Sequence, residues 1–387
     1  APVGSYAGEG RTPDGRGSSV TDSTVLRFPG ARFAELSLLY VVCGLGALVL
    51  SGLLVEVVGA DWGDVGNALL DGSVRRPGRW GGTIGVAVPL AVVALGTVVS
   101  TRAGLVNIGQ EGQLYVGAAA ATYVGAHVPG PGPSSLLAVL VAGTLGGALW
   151  AGLAGALRFW RKVPEVLTTL LLVSVAANLV GYGLKNSWLL LDPEAKVGNR
   201  NLVSPQLSSD TRLPRITLWG NEFAVSVFLA LGLIVLVGWM LSRTLWGYRL
   251  TVVGSNQRVA RRFGISESTQ GMIAMLASGG SAGLAGAIML ASGDFANYRV
   301  VPGFSVNIGW VGLLVALVAR DRALAIIPVA VVFAGLRTGS GFLASTGIER
   351  RVTDVVQGLI VLSLLVPPAI MFIRERRRAL AAARSRV

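Results

Sequence analysis

The sequence is nearly empty of the side chains that soluble enzymes use. It has one cysteine, Cys43, and one histidine, His127. A lone cysteine excludes a disulfide within the chain and a cysteine metal cluster. The lone histidine sits beside the turn-forming run VPGPGP, in an expected loop, which excludes a His-based metal site and a Ser-His-Asp triad. The only lysines are Lys162, Lys185 and Lys196, and none follows a glycine. A P-loop needs G-x-x-x-x-G-K-[ST], with the lysine reaching the phosphates, so the chain carries no Walker-type ATP site. Charge is scarce as well: 14% of the 387 residues are Asp, Glu, Lys or Arg, against about 25% in soluble proteins. No catalytic residue and no metal-ligand set emerges.

What remains is apolar. The chain is 52% hydrophobic with 53 glycines and a mean hydropathy of +0.64, as expected of a helical membrane protein whose helices pack through small residues. The net charge is +13, nearly all from arginine. Basic character can signal nucleic acid, but these arginines cluster between apolar stretches, so membrane topology accounts for them and no nucleic-acid partner is expected.

At about 20 residues per crossing, the hydropathy pattern predicts ten spans: 36–55, 81–100, 104–126, 135–158, 164–184, 222–242, 269–292, 304–319, 323–340 and 353–373. Residues 1–31 read as a disordered tail rather than a signal peptide, 32–375 as the membrane domain and 376–387 as a second, basic tail. Arg102, Arg158, Arg161, Arg243, Arg258, Arg261, Arg262, Arg320, Arg322 and Arg374 fall at one set of span ends. The positive-inside rule makes that side cytoplasmic, with both termini there. The opposite side holds Arg75, Arg76, Arg79, Arg212, Arg215, Arg350 and Arg351, so the bias is not complete.

One stretch breaks the apolar text. Thr101–Gly117, TRAGLVNIGQEGQLYVG, places Asn107, Gln110, Glu111 and Gln113 within two helical turns. An uncompensated polar group in hydrocarbon costs several kcal/mol, roughly, and an intramembrane carboxyl marks a functional site by default. The bland alternative is polar glue between helices. The motif also has an echo: Val106-Asn107-Ile108-Gly109-x-x-Gly112-x-Leu114 recurs as Val306-Asn307-Ile308-Gly309-x-x-Gly312-x-Leu314. A second pairing sets Val163, Glu165, Val166, Leu170 and Ser174 beside Val352, Asp354, Val355, Leu359 and Ser363. Each partner lies five spans on and so runs in the opposite direction. That parity is the mark of an inverted-topology repeat, with five-helix halves at about 36–184 and 222–373 meeting at a midplane path.

The longest connection on the basic side, 244–266, reads as a turn at Gly254-Ser255-Asn256, a short helix from Gln257 to Phe263, and a stop at Gly264. Ser255 or Asn256 is the expected cap. Such a helix fits a groove on another protein or an anionic lipid surface, and the pattern does not choose between them.

Four motifs in order, GLVNIGQEGQLYVGA, PEVLTTLLL, YRLTVVGSNQRVARRFGI and VTDVVQGLIVL, resemble the permease subunits of binding-protein-dependent ABC importers for simple sugars and nucleosides. The resemblance runs from about residue 36 to 373, and the NIGxEGQ form is more similar to the nucleoside-type branch. It implies an all-α polytopic fold like the vitamin B12-type importers. It also implies a second permease subunit, commonly a paralogue, a cytoplasmic ABC ATPase that holds the ATP and magnesium, and an extracytoplasmic substrate-binding lipoprotein in a bacterial inner membrane. Gly254, Asn256, Ala260 and Gly264 match the family's G-x-N-x-x-A-x-x-x-G coupling segment, while Val259, Arg261, Arg262 and Phe263 depart from it; Ser255 lies within it.

A nucleoside offers hydroxyls, ring nitrogens and a flat base. Asn107, Gln110, Gln113, Asn307 and Asn297 would suit the polar groups, and Phe304 or Trp310 the base. Glu111 would line that path or lock helix packing; a neutral substrate needs no carboxylate, which favours packing. Arg337 would pair with Asp354 or Glu349, or face outer water. The principal alternative is an ion-coupled secondary transporter of small polar solutes, for which Glu111 is the one clear mid-span carboxylate.

Overall fold

The structure is a computed structural model. It describes residues 61–128, 132–193, 202–305 and 307–343, with scattered helical positions between 39 and 57 and between 355 and 377. The expected tail 1–31, nearly half of the span at 36–55, most of that at 353–373, nearly all of 376–387, and Glu349 and Asp354 lie outside the described residues.

In chain order the elements are α1 (Trp62–Leu70), α2 (Arg79–Arg102), α3 (Gln110–His127), α4 (Gly132–Arg161), α5 (Glu165–Gly183), strands β1 (Arg215–Leu218) and β2 (Asn221–Ala224), then α6 (Ser226–Arg243), α7 (Leu245–Ser255), α8 (Gln257–Arg262), α9 (Glu267–Ser292), α10 (Ile308–Val318) and α11 (Ile326–Leu343). Among the described residues six helices are long and apolar enough to cross a membrane: α2, α4, α5, α6, α9 and the 323–342 stretch that holds α11. These match expected spans. The expected crossings at 104–126 and 304–319 differ. The polar run ending at Gly109 is non-helical, so α3 starts only at Gln110. Gly303 and Asn307 sit at φ +78° and +65°, which delays α10 to Ile308 and leaves it eleven residues, about 16 Å long and too short to cross alone.

Three further expectations need correction. His127 is the last residue of α3, not a loop residue; its ring stacks on Tyr123 with centroids 4.3 Å apart. The fold is not wholly α, because Arg215–Leu218 pairs antiparallel with Asn221–Ala224, joined by Trp219 and Gly220 at φ 48° and 73°. Two successive positive φ values are those of a type I′ hairpin turn. Gly254 and Ser255 belong to α7, a helix where a turn was expected.

The helices sort into a centre and a rim. In α2 and α9, 78% and 72% of the spanning residues are buried, against 22%, 28% and 22% in α4, α5 and α6. The latter expose rows of leucine and valine, as lipid-facing helices do. Glycines set the closest crossings. A Cβ on Gly147 of α4 would lie 2.6 Å from the Gly283 Cα of α9, so small residues are required where these two helices meet.

One end of the bundle gathers Arg102, Arg158, Arg161 and Arg243, with α7, α8 and the turn after α10. The other gathers α1, the hairpin and the segments flanking it. That second end is tied by charge. Arg299 pairs with Asp192 at 2.6 Å, Arg215 with Asp294 at 2.8 Å, and Arg212 lies 4.1 Å over the Tyr298 ring. Burial, the largest single influence, opposes the charge on Arg215, but the Asp294 carboxylate and the Tyr298 hydroxyl together outweigh it and raise the pKa of the guanidinium.

Candidate functional site

The polar stretch forms a closed network at the junction of α2, α3 and α9. Gly104, at φ +74°, turns the chain back after α2 and brings Asn107 beneath the first turn of α3. Asn107 Nδ2 donates to Gln113 Oε1 and to Ser278 Oγ, each at 2.9 Å. Gln113 Nε2 returns a bond to Asn107 Oδ1 at 3.0 Å. Gln110 Nε2 donates to the Val93 carbonyl at 3.1 Å, and its Oε1 accepts from Thr97 Oγ1 at 2.8 Å. Asn107, Gln110 and Gln113 are all buried, so each amide depends on these partners in place of water.

Glu111 does something different. Its carboxylate accepts from Ser305 Oγ, from the Asn307 N–H at 3.0 Å and from the Gly309 N–H at 2.7 Å. The last two belong to the start of α10, where backbone donors lack helical partners and the helix dipole is positive. Glu111 therefore caps α10 from another helix. The far end of α10 leads to Asp321, whose carboxylate accepts from Thr101 Oγ1 at 2.8 Å. The capped N-terminus thus sits one α10 length, about 16 Å, from that end, near half the thickness of a bilayer core of about 30 Å. The two copies of the echo meet here: a Cβ on Gly309 would stand 2.5 Å from the Glu111 Cα.

At the basic end, Asn256 Oδ1 accepts from the Arg258 and Val259 N–H groups at 3.0 and 3.2 Å, capping α8. Ser255 instead bonds back to the Val252 carbonyl. Gly264, at φ +70°, ends the helix, and the Ile265 N–H closes it on the Ala260 carbonyl at 3.0 Å. Ala260 faces inward; Val259, Arg261, Arg262 and Phe263 face out. Just before the cap, Gly254 packs on the turn after α2, where its Cβ would lie 2.8 Å from the Gly104 nitrogen.

A family model described as the permease component of branched-chain amino acid transport systems matches residues 81–365. The chain belongs to this permease family. It is 31% identical over 341 residues to the guanosine ABC transporter permease protein NupP of Bacillus subtilis, covering 87% of this chain and 94% of that one. It is also 31% identical over 291 residues to the glucose ABC transporter permease protein TsgB13 of Haloferax volcanii, covering 72% and 74%. A second B. subtilis protein, the guanosine ABC transporter permease protein NupQ, is 29% identical over 213 residues, covering 53% and 65%. The chain is accordingly a permease component of an ABC transporter, a transport subunit of the membrane.

In this permease the eight residues singled out from sequence do not form one surface. Asn107, Gln110 and Gln113 bond to one another's neighbourhood, and Glu111 bonds to α10. Phe304 is buried in the core. Asn297 and Asn307 are exposed and Trp310 is half-buried. The echo is thus broken at its asparagines, Asn107 being enclosed and Asn307 open. Sequence reasoning missed Thr97, Ser278 and Ser305. Thr97 and Ser278 lie in apolar or glycine-rich helices, where a hydroxyl is indistinguishable from one bonding routinely to the preceding turn, and Ser305 lies in the turn before α10.

Proposed function

We propose that this permease forms the membrane path of an ATP-driven importer for nucleosides or related simple sugars, powered by a separate ATPase docked on α8. The observation that carries the reading is the construction of α8. It is a capped helix with an outward Val259, Arg261, Arg262 and Phe263 face, and Gly254 beside it seats on the very turn that leads into the Asn107 network. A push on α8 thereby reaches the polar core through backbone rather than through flexible side chains. Gly254, Ser255, Asn256, Ala260, Arg261, Arg262 and Gly264 constitute this coupling segment.

The basic end is cytoplasmic in this reading, with both termini there and the membrane that of a bacterial cell. Ten spans in two inverted halves accord with the meeting of the two NIG turns at Glu111 and Gly309. The path opens along that seam. Asn307, Asn297 and Trp310 are accessible in the present conformation, while Asn107, Gln110 and Gln113 seal it. A nucleoside is favoured by the likeness to NupP, and a paralogous second permease by the match of both NupP and NupQ to this chain. Glu111, already committed to three donors, is poorly placed to carry an ion, which disfavours the secondary-transporter alternative. Native purification in mild detergent followed by mass spectrometry tests the proposal. Recovery of a Walker-motif ATPase and a binding lipoprotein, whose ligand names the substrate, is expected. Recovery of the chain alone, with uptake into liposomes independent of ATP, would overturn it.

A further inference from the structure

Between the end of α6 and the turn joining α10 to α11 lies a cavity of about 630 Å³. Three guanidinium groups line it, each from a different element: Arg102 at the end of α2, Arg243 at the end of α6, and Arg322 in the turn. None makes a hydrogen bond or ion pair among the described residues. The one carboxylate present, Asp321, is already engaged by the Thr101 hydroxyl and faces Arg102. The lining therefore holds three positive charges against one negative. This is not an ordinary solvated basic rim, because the remaining walls, Ser242 apart, are apolar and open outward. Val235, Trp239 and Leu324 all line the cavity and are each more than half exposed. Val235 stands eight residues from Arg243 on α6, about 12 Å along the axis, which is the distance from headgroup level into the acyl region. Trp239 lies between them, where aromatic side chains mark the membrane interface.

A soluble anion would satisfy the arginines and leave the apolar walls uncovered. A neutral lipid would cover the walls and leave the arginines unpaired. We propose that the crevice binds an anionic phospholipid, its phosphate held by Arg102, Arg243 and Arg322 and its acyl chains lying along Trp239, Val235 and Leu324. Basic pockets between membrane helices at the cytoplasmic surface recognise anionic headgroups in this way. The site is separate from the seam at Glu111 and from the α8 face, so it stands whether or not the transported solute is a nucleoside.

The test uses the full chain purified in mild detergent and native mass spectrometry with equal amounts of phosphatidylglycerol and phosphatidylcholine. Wild type is expected to retain phosphatidylglycerol preferentially, and millimolar inorganic phosphate is expected not to displace it. The double variant Arg243→Gln/Arg322→Gln is expected to lose affinity about 25-fold, roughly fivefold per arginine, while Arg243→Lys/Arg322→Lys keeps most of it. Equal retention of the two lipids, displacement by phosphate, or wild-type retention by the glutamine variant would each overturn the proposal. The wild-type comparisons decide the matter even where a variant fails to fold. Efficient disulfide cross-linking between copies through Leu324→Cys, on a Cys43→Ser background, would also sink it by making the crevice a subunit interface.

Discussion

At the scale of single residues, the question was what a carboxylate does inside a membrane. Glu111 answers it by spending both oxygens on α10, with Asn307 and Gly309 N–H groups at 3.0 and 2.7 Å. Hydrogen bonds to a charged group contribute about 1.5–3 kcal/mol each, so Glu111→Gln, which also turns an amide donor toward backbone donors, should destabilise the fold by about 2–4 kcal/mol. Thermal melting in detergent reads this directly; an unchanged midpoint would mean the cap contributes nothing. Asn107 and Gln113 bond reciprocally, and a double-mutant cycle with alanine should return a coupling of about 1 kcal/mol or more. Asp321 adds a pH dependence. Burial raises its pKa, against the lowering effects of the Thr101 hydroxyl and the Arg102 charge. The folded state then holds its proton more tightly than the unfolded state, so stability is greatest below the unfolded value, near 3.9, and falls as pH rises toward the raised one. Asp321→Asn keeps an acceptor for Thr101 and should remove that fall, which melting curves across the acid range would reveal. The polar residues themselves were legible, because Asn, Gln and Glu stand out in apolar text. Their partners were not: Ser278 and Ser305 lie 171 and 194 residues away from the groups they bond, and nothing local marks them.

At the scale of elements, long helices were read well and interruptions poorly. Hydropathy integrates over about 20 residues, so α2, α4, α5, α6, α9 and α11 stood out, while the positive φ at Gly303 and Asn307 that shortens α10 had no weight in such a window. The hairpin had a local signal, Trp219-Gly220 between alternating residues, that was overshadowed by its position in a long polar connection. In the proposed coupling segment the helix, its Asn256 cap and its Gly264 stop were all readable from capping chemistry. What was not readable is that Gly254 lies in the last turn of a preceding helix and touches Gly104. That contact separates two functions that a mutation scan can resolve. Asn256→Ala should cost α8 about 1 kcal/mol, speed hydrogen exchange over 257–263 and weaken ATPase recovery. Gly254→Val leaves the outer α8 face intact but drives a side chain into the backbone of Arg102–Gly104. It should therefore retain the ATPase in pull-downs while abolishing ATP-driven uptake. Parallel loss of both activities in the Gly254 variant would argue against a backbone relay.

At the scale of the whole molecule, the distribution of burial dictates what can move. The columns α2 and α9 are enclosed and stitched to α3 by the amide network, whereas α10 is joined to α3 mainly by one carboxylate and one glycine approach. Interfaces built on few, strong, directional bonds switch between discrete arrangements more readily than interdigitated cores. Under the proposed coupling to a separate ATPase, the seam between α3 and α10 is consequently the joint expected to open, and α8 is joined to its α3 side through Gly254, Gly104 and Asn107. Cysteine accessibility on a Cys43→Ser background makes this measurable. In the resting permease Asn307→Cys should react with a small water-soluble maleimide and Asn107→Cys should not, since the first side chain is exposed and the second enclosed. In the assembled transporter trapped with a non-hydrolysable ATP analogue, opening of the seam should raise the Asn107→Cys rate by about tenfold or more, the change expected of a population shift worth about 1.4 kcal/mol. A rate that stays flat while Asn307→Cys changes would place the moving joint outside the α3–α10 seam and return Glu111 to a purely structural cap.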